Sequence, residues 1–213
     1  MEEHDDGIRI VVADASHVKY VNAIQQLIKT ASLVRDSGIA NRSFDFLATK
    51  MKERKAVIAL YNEELAGFCY IECWENKHYV CHSGLVVAPR FRGRHLATRI
   101  KQLIFSLTRL RWPEAVIYGL TNSSAVMHIN TALGYVPVPF GELPKDEVFW
   151  KSCGTAENPK CINCDVLESS ERKYCVCTAM RYDPTRHPDT PLPATVPQDW
   201  IQFIENAEDE KGV

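Results

Sequence analysis

Near the middle of the chain an apolar run passes through a basic turn into a long amphipathic stretch, and no other feature constrains the fold as much. Leu85-Val86-Val87-Ala88-Pro89 reads as the end of a strand and Arg90-Phe91-Arg92-Gly93-Arg94-His95 as the turn. Ala97, Ile100, Leu103, Ile104, Leu107 and Leu110 then recur at helical spacing as one apolar stripe, with the Arg and Lys residues of this segment expected on the surface. A strand that enters a helix through such a turn is a recurring way to bind phosphate. The helix N-terminus offers unpaired N–H groups and partial positive charge, glycine permits close backbone approach, and Arg90, Arg92 and Arg94 add charge. The same residues also fit a solvated basic turn. A Walker A loop is excluded because no Gly-Lys-Ser/Thr occurs here, and a dinucleotide-binding fingerprint because Gly93 stands alone.

Periodicity supplies the surrounding elements. Ile8 to Val12 suits a first strand, and Ser16 offers an N-cap to a helix carrying Val18, Val21, Ile24, Leu27, Ile28 and Ala31. A loop holding Arg35 and Arg42 precedes a second helix from Phe44 to about Arg54. Val57 to Tyr61, Leu65 to Trp74 and His78 to Val87 read as an antiparallel meander, joined at Asn62-Glu63-Glu64 and Glu75-Asn76-Lys77. Beyond the amphipathic helix come a strand from Val116 to Leu120, a helix from Ser123 to Leu133 closed by Gly134, and extended chain from Tyr135 to Phe140.

With 213 residues, 46% of them hydrophobic and 24% charged, the chain has the material for a sizeable core, which excludes disorder and coiled coil as readings of the whole. No apolar run approaches the roughly 18 residues of a membrane span. The acidic start, Met1-Glu-Glu-His-Asp-Asp6, is unlike a secretory signal, so the expected address is cytoplasmic. A net charge of -2 lacks the basic excess that phosphate neutralisation requires, so nucleic acid is not an expected partner.

From Gly141 the composition turns to Pro, Lys, Asp, Cys and Asn. Three regions are expected: a core over residues 1–140, a Cys-rich extension over 141–182 ending in a strand from Cys175 to Arg181, and a Pro-rich linker over 183–213 with a short docking helix bearing Trp200, Phe203 and Ile204. Cys153 precedes two close pairs, Cys161-Ile-Asn-Cys164 and Cys175-Val-Cys177. In a reducing compartment the pairs suit a structural zinc ion held by Cys161, Cys164, Cys175 and Cys177, with a bulge bringing the last two to one side. Unliganded thiols and a redox pair stay open beside that reading.

The turn and the order of elements together resemble the GCN5-related N-acetyltransferase (GNAT) superfamily and, more loosely, its N-acetylglutamate-synthase-type members. The family's Arg/Gln-x-x-Gly-x-Gly/Ala signature is matched by Arg92-Gly93-Arg94-His95-Leu96-Ala97, behind Leu85, Val87 and Pro89. The resemblance covers about residues 8–140. It implies an α+β fold with a mixed, mostly antiparallel sheet flanked by helices, here with a Cys-rich C-terminal extension. It also implies acetyl-CoA or another acyl-CoA as co-substrate, held by Leu85, Val86, Val87, Arg92, Gly93, Arg94, His95, Leu96, Ala97 and Asn130, and a homodimer. Two residues depart from the pattern. His95 stands where glycine is usual, and the tyrosine that protonates the departing CoA thiolate is replaced near Asn130, beside His128 and Ile129.

Acyl transfer to an amine needs a positioned thioester, a neutral amine and a proton for the thiolate. Main-chain groups near Leu85 to Val87 would hold the donor and polarise its carbonyl. Glu72, Cys81 and His82 are the candidate bases, and His82 is preferred because imidazole titrates nearest neutrality. A packed polar strand residue is its alternative. Tyr118, His128 and Tyr135 are the candidate acids, although a thiolate leaves well without one. Arg35 and Arg42 fall in the loop against which acceptors lie in the resembled family, and their guanidinium forks suit a carboxylate. The expected function is acyl transfer to the primary amine of a small molecule, an amino acid such as glutamate being favoured. The alternative is a non-catalytic acyl-CoA sensor, or a zinc-stabilised interaction module, on a decayed acetyltransferase.

Overall fold

The computed structural model describes residues 7–33, 39–151, 164–187 and 189–209. Strand β1 (Ile8–Val12) leads through a short 3-10 turn into helices α1 (Val21–Ser32) and α2 (Phe44–Lys52). The expected meander follows as β2 (Ala56–Tyr61), β3 (Glu64–Trp74) and β4 (Tyr79–Val87), paired antiparallel. Next come α3 (Leu96–Arg111), β5 (Val116–Thr121), α4 (Ser124–Ala132) and a two-residue strand β6 (Val136–Pro137). Short helices α5 (Glu147–Lys151) and α6 (Cys164–Ser169), strand β7 (Thr178–Tyr182) and helix α7 (Gln198–Asp209) complete the described chain.

Among the described residues seven strands form one sheet in the order β1-β2-β3-β4-β5-β7-β6, and of its pairs only β4 and β5 run parallel. Alternation along the strands sends side chains to the two faces of the sheet. Val57, Ala59, Cys69, Ile71 and Val80 meet Ile100, Ile104 and Leu107 of α3 on one face. Ile58, Leu60, Phe68 and Tyr70 meet Ile24, Ile28, Leu47 and Met51 of α1 and α2 on the other. Each fully buried Ile or Leu contributes on the order of 1.5–3 kcal/mol.

The last third of the chain joins the same sheet. β7 inserts between β5 and β6 rather than following β6 at the edge. Pro137 and Pro139 shorten β6, because proline cannot donate to a ladder. Trp200 on α7 is buried with Ile204 against the α3 face, and Arg111 of α3 lies over its ring at 5.8 Å. The linker before it is pinned where Ala194 N–H donates to Ser106 Oγ at 3.1 Å. Among the described residues no helix is long and apolar enough to cross a membrane.

Candidate functional site

The parallel ladder between β4 and β5 is short. It pairs Tyr79 with Val116, Val80 with Ile117 and Cys81 with Tyr118, and then ends. Beyond Cys81 the two strands diverge, so residues 82–87 of β4 have no strand neighbour on that side among the described residues, while β5 stays paired with β7 along its other edge from Ile117 to Thr121. A bulge on the opposite side bends β4 further. Tyr70 lies opposite Ser83 and Phe68 opposite Val86, so Gly84 and Leu85 together face Cys69. Gly84 has φ +65, and a Cβ there would meet the Tyr70 ring at 2.5 Å, so this position requires glycine. The outcome is a wedge between two strands whose β4 edge has no strand neighbour among the described residues. A cavity of about 570 Å³ fills it.

Leu85, Val86, Val87, Arg92 and Ala97 line one side of this cavity. Arg92 Nε donates to the Val87 carbonyl at 3.2 Å, which folds the turn back onto the strand end. Gly93 and His95 adopt left-handed φ of 75 and 55, and His95 forms the N-cap of α3. The family pattern places glycine at that position, and its conformation supplies the reason. Gly93, Arg94 and His95 are exposed on the turn, whereas the Leu96 side chain is buried in the core behind it. Arg90 is engaged by Glu64 at 2.7 Å.

Where the two strands part, His82 is buried in a closed hydrogen-bond chain. Its Nε2 lies 2.8 Å from Thr108 Oγ1, whose own proton goes to the Ile104 carbonyl at 3.0 Å. His82 is therefore the donor to Thr108, and its Nδ1 accepts from the Tyr135 hydroxyl at 3.2 Å. Burial, reinforced by the Lys101 cation, holds the ring well below its ordinary 6.5, so it is neutral. Both ring nitrogens are engaged, and the ring also lines the cavity. Asn130, from α4, is fully buried beside Gly119. Its Nδ2 faces Met180 Sδ at 3.6 Å, while Oδ1 has no partner among the described residues.

On the α1–α2 side the cavity is lined by Leu27, Ala31, Ile39, Arg42 and Tyr70. Arg42 Nε donates to the Tyr70 hydroxyl at 2.8 Å and Nη1 to the Asn41 carbonyl at 3.0 Å. Arg35 lies outside the described residues. Glu72 is held by Lys50 at 3.1 Å, and Cys81 lines the cavity with its thiol pushed up by burial. Tyr118 and His128 are not brought to the cavity. Tyr118 packs against Tyr79 and Phe149, and burial pushes its hydroxyl up to about 12; His128 is exposed on α4. Cys175 and Cys177 line the cavity mouth, where Cys177 N–H donates to Cys175 Sγ at 3.4 Å. Cys161 lies outside the described residues, and Cys164 is described only as the first residue of α6. Among the described residues no group of three or more His, Cys, Asp or Glu is placed to hold a metal ion.

Residues 22–111, from α1 to the end of α3, match the family model described as Acetyltransferase (GNAT) family. Over that segment the chain is similar to the GNAT acetyltransferases. The fold agrees with that of solved GNAT structures. N-acetylglutamate synthase from Neisseria gonorrhoeae, complexed with coenzyme A and N-acetyl-glutamate, is similar at a TM-score of 0.57 and 13% identity, over 83% of this chain and 35% of that one. An N-acetyltransferase from Staphylococcus aureus Mu50 is similar at 0.56 and 11% identity, over 83% and 98%. Diaminobutyrate acetyltransferase from Paenibacillus lautus, in complex with L-2,4-diaminobutyric acid and coenzyme A, is similar at 0.53 and 11% identity, over 83% and 95%. This chain thus spans about a third of the synthase's length and nearly all of the other two. No curated protein sequence matches it.

The cavity fits an acyl-CoA donor on its own features: a strand edge with no neighbour, a basic helix N-terminus, and a buried acceptor with no partner among the described residues, Asn130 Oδ1, where a pantetheine amide N–H can bind. Sequence reasoning missed Lys101, which lines the cavity at 2% exposure rather than lying on the surface. The signal was present, since position 101 lies one turn beyond Ala97 and three residues before Ile104, on the buried stripe. The Tyr135–His82–Thr108 chain was not legible, because it joins three distant segments.

Proposed function

We propose that the chain transfers an acetyl group from acetyl-CoA to the primary amine of a small molecule that also bears a carboxylate, an amino acid such as glutamate being the favoured class. The observation that carries the acceptor assignment is the Arg42–Tyr70 pair. A guanidinium held by a tyrosine hydroxyl at 2.8 Å lines the α1–α2 side of the same cavity that Arg92 and the β4 edge line elsewhere. Arginine binds a carboxylate through two parallel hydrogen bonds, which orients the acceptor as well as holding it. Two structurally similar acetyltransferases are described with amino-acid ligands, N-acetyl-glutamate and L-2,4-diaminobutyric acid.

In this reading Arg92 and the N–H groups at the start of α3 bind the donor pyrophosphate. The β4 edge at Leu85–Val87 aligns the pantetheine and polarises the thioester carbonyl, and Asn130 Oδ1 accepts from a pantetheine amide. His82, which lines the cavity, is the base for the amine proton, its Nδ1 held by the Tyr135 hydroxyl in the resting state. Arg35, preceding the Arg42 segment, is a second carboxylate ligand. Cys161, Cys164, Cys175 and Cys177 hold structural zinc, a reading supported by the spacing and by the N–H···S bond at Cys175. Metal analysis of the purified protein tests it, and a metal-free protein that melts as the isolated one does rules it out.

Thiol release from acetyl-CoA against a panel of amines and amino acids tests the main reading. Turnover is expected with an α-amino acid, and Arg42→Ala should raise the acceptor KM about tenfold to a hundredfold while leaving the acetyl-CoA KM unchanged. Equal rates for amines with and without a carboxylate contradict the acceptor assignment. The second reading, a non-catalytic acyl-CoA sensor, is favoured by Asn130, whose amide cannot protonate a thiolate. Tight donor binding with no thiol release across the panel selects it.

A further inference from the structure

Lys101 is a buried amine with no counter-ion among the described residues, and burial lowers its pKa. It projects from α3 one turn beyond Ala97, lines the cavity and is 2% exposed. The titratable groups that face it are Cys69 on β3, Cys81 and His82 on β4, and Tyr135 after α4, whose ring centroid lies 5.2 Å from the ammonium. None of these is an anion near neutral pH. Burial pushes the Cys69 thiol up to about 12, raises Cys81 and Tyr135, and keeps His82 neutral. An ammonium so placed is destabilising until something brings it negative charge.

The reaction proposed above creates one negative charge inside the cavity, on the sulfur of the departing CoA. The donor's phosphates are met by the turn at Arg92, and the position at which the GNAT family carries a proton-donating tyrosine is held by Asn130. We infer that Lys101 stabilises the departing CoA thiolate and gives it a proton, which makes it a further catalytic residue of the transfer. As the amine forms its N–C bond the C–S bond breaks, the electron pair passes to sulfur, and one ammonium proton of Lys101 follows it. The attacking amine gives up one proton in the same turnover, so no net proton is consumed, and Lys101 is recharged from solvent.

This inference rests on the acetyl-transfer reading, and its test keeps the two apart. The full chain is compared with its Lys101→Met and Lys101→Arg variants. Methionine preserves side-chain length and packing, and the Met variant is expected to melt no lower than the parent. Ultraviolet absorbance of the thiolate gives the thiol pKa of bound CoA, and calorimetry gives the affinities of CoA and of desulfo-CoA. In the parent the bound thiol pKa should fall by about one unit or more, and CoA should bind more tightly than desulfo-CoA once the thiolate forms. Lys101→Met should abolish both effects and lower kcat about a hundredfold at nearly unchanged acetyl-CoA KM, while Lys101→Arg keeps the lowered thiol pKa. An unchanged thiol pKa in the Met variant overturns the inference and leaves acetyl transfer standing. So does a loss confined to acyl-CoA donors with a carboxylate on the acyl chain, which would place the cation at the acyl tail. Failure of the parent to bind CoA overturns the acetyl-transfer reading itself.

Discussion

The Tyr135 hydroxyl donates to His82 Nδ1 at 3.2 Å, and His82 Nε2–H donates to Thr108 Oγ1 at 2.8 Å. Because the folded state keeps this ring below its ordinary 6.5, the unfolded chain binds a proton there first as the pH falls. The stability contributed by the neutral ring is complete above about pH 6.5 and is lost as the pH drops toward the folded value. His82→Gln should flatten the decline in unfolding free energy between about pH 7 and pH 5. An unchanged slope in urea titrations contradicts this. Tyr135→Phe should cost about 1–3 kcal/mol at neutral pH by leaving Nδ1 without a donor.

Arg92 and Arg90 lie in one turn and should behave differently. Arg90 is spent on Glu64 at 2.7 Å, whereas Arg92 lines the cavity. Arg92→Ala should weaken CoA binding about tenfold to a hundredfold, and the difference from the parent should shrink with added salt. Arg90→Ala should change it by less than about threefold. Calorimetry at two ionic strengths checks both, and equal losses contradict the assignment of phosphate binding to Arg92.

Gly84→Ala tests the bulge. A left-handed φ and a 2.5 Å contact with the Tyr70 ring should cost about 1–3 kcal/mol, and the realigned β4 edge should raise the acetyl-CoA KM. Unchanged thermal melting contradicts the requirement for glycine there.

His95→Gly goes the other way. At φ 55 the histidine is strained, so glycine should hold stability or raise it by about 0.5–1 kcal/mol, and CoA affinity should be kept or increased. A large loss of affinity would assign the imidazole itself to the phosphates.

Local chemistry explains what could be read in advance. The β2–β3–β4 meander, the turn at Gly93 and the stripe on α3 are each written within a few consecutive residues, and they recur in the structure with small shifts at their ends. The insertion of β7 between β5 and β6 depends on pairing Tyr118 with Arg181 and Val136 with the same residue, contacts no local period encodes. Lys101 escaped for a different reason. A charged residue on an apolar stripe reads as surface unless its register is counted against Ala97 and Ile104. Tyr118 reads equally well as a catalytic or a core aromatic until the fold turns it toward Phe149.

If the wedge between β4 and β5 holds acetyl-CoA for transfer to an amine, the donor binds there saturably. Calorimetric titration of the full chain with acetyl-CoA, followed by thiol release with amino acids present, tests it most directly. Saturable binding that Arg92→Ala weakens, with thiol released only when an amino-acid acceptor is added, is the predicted result. Absence of any heat of binding, in a protein that melts cooperatively, would contradict it.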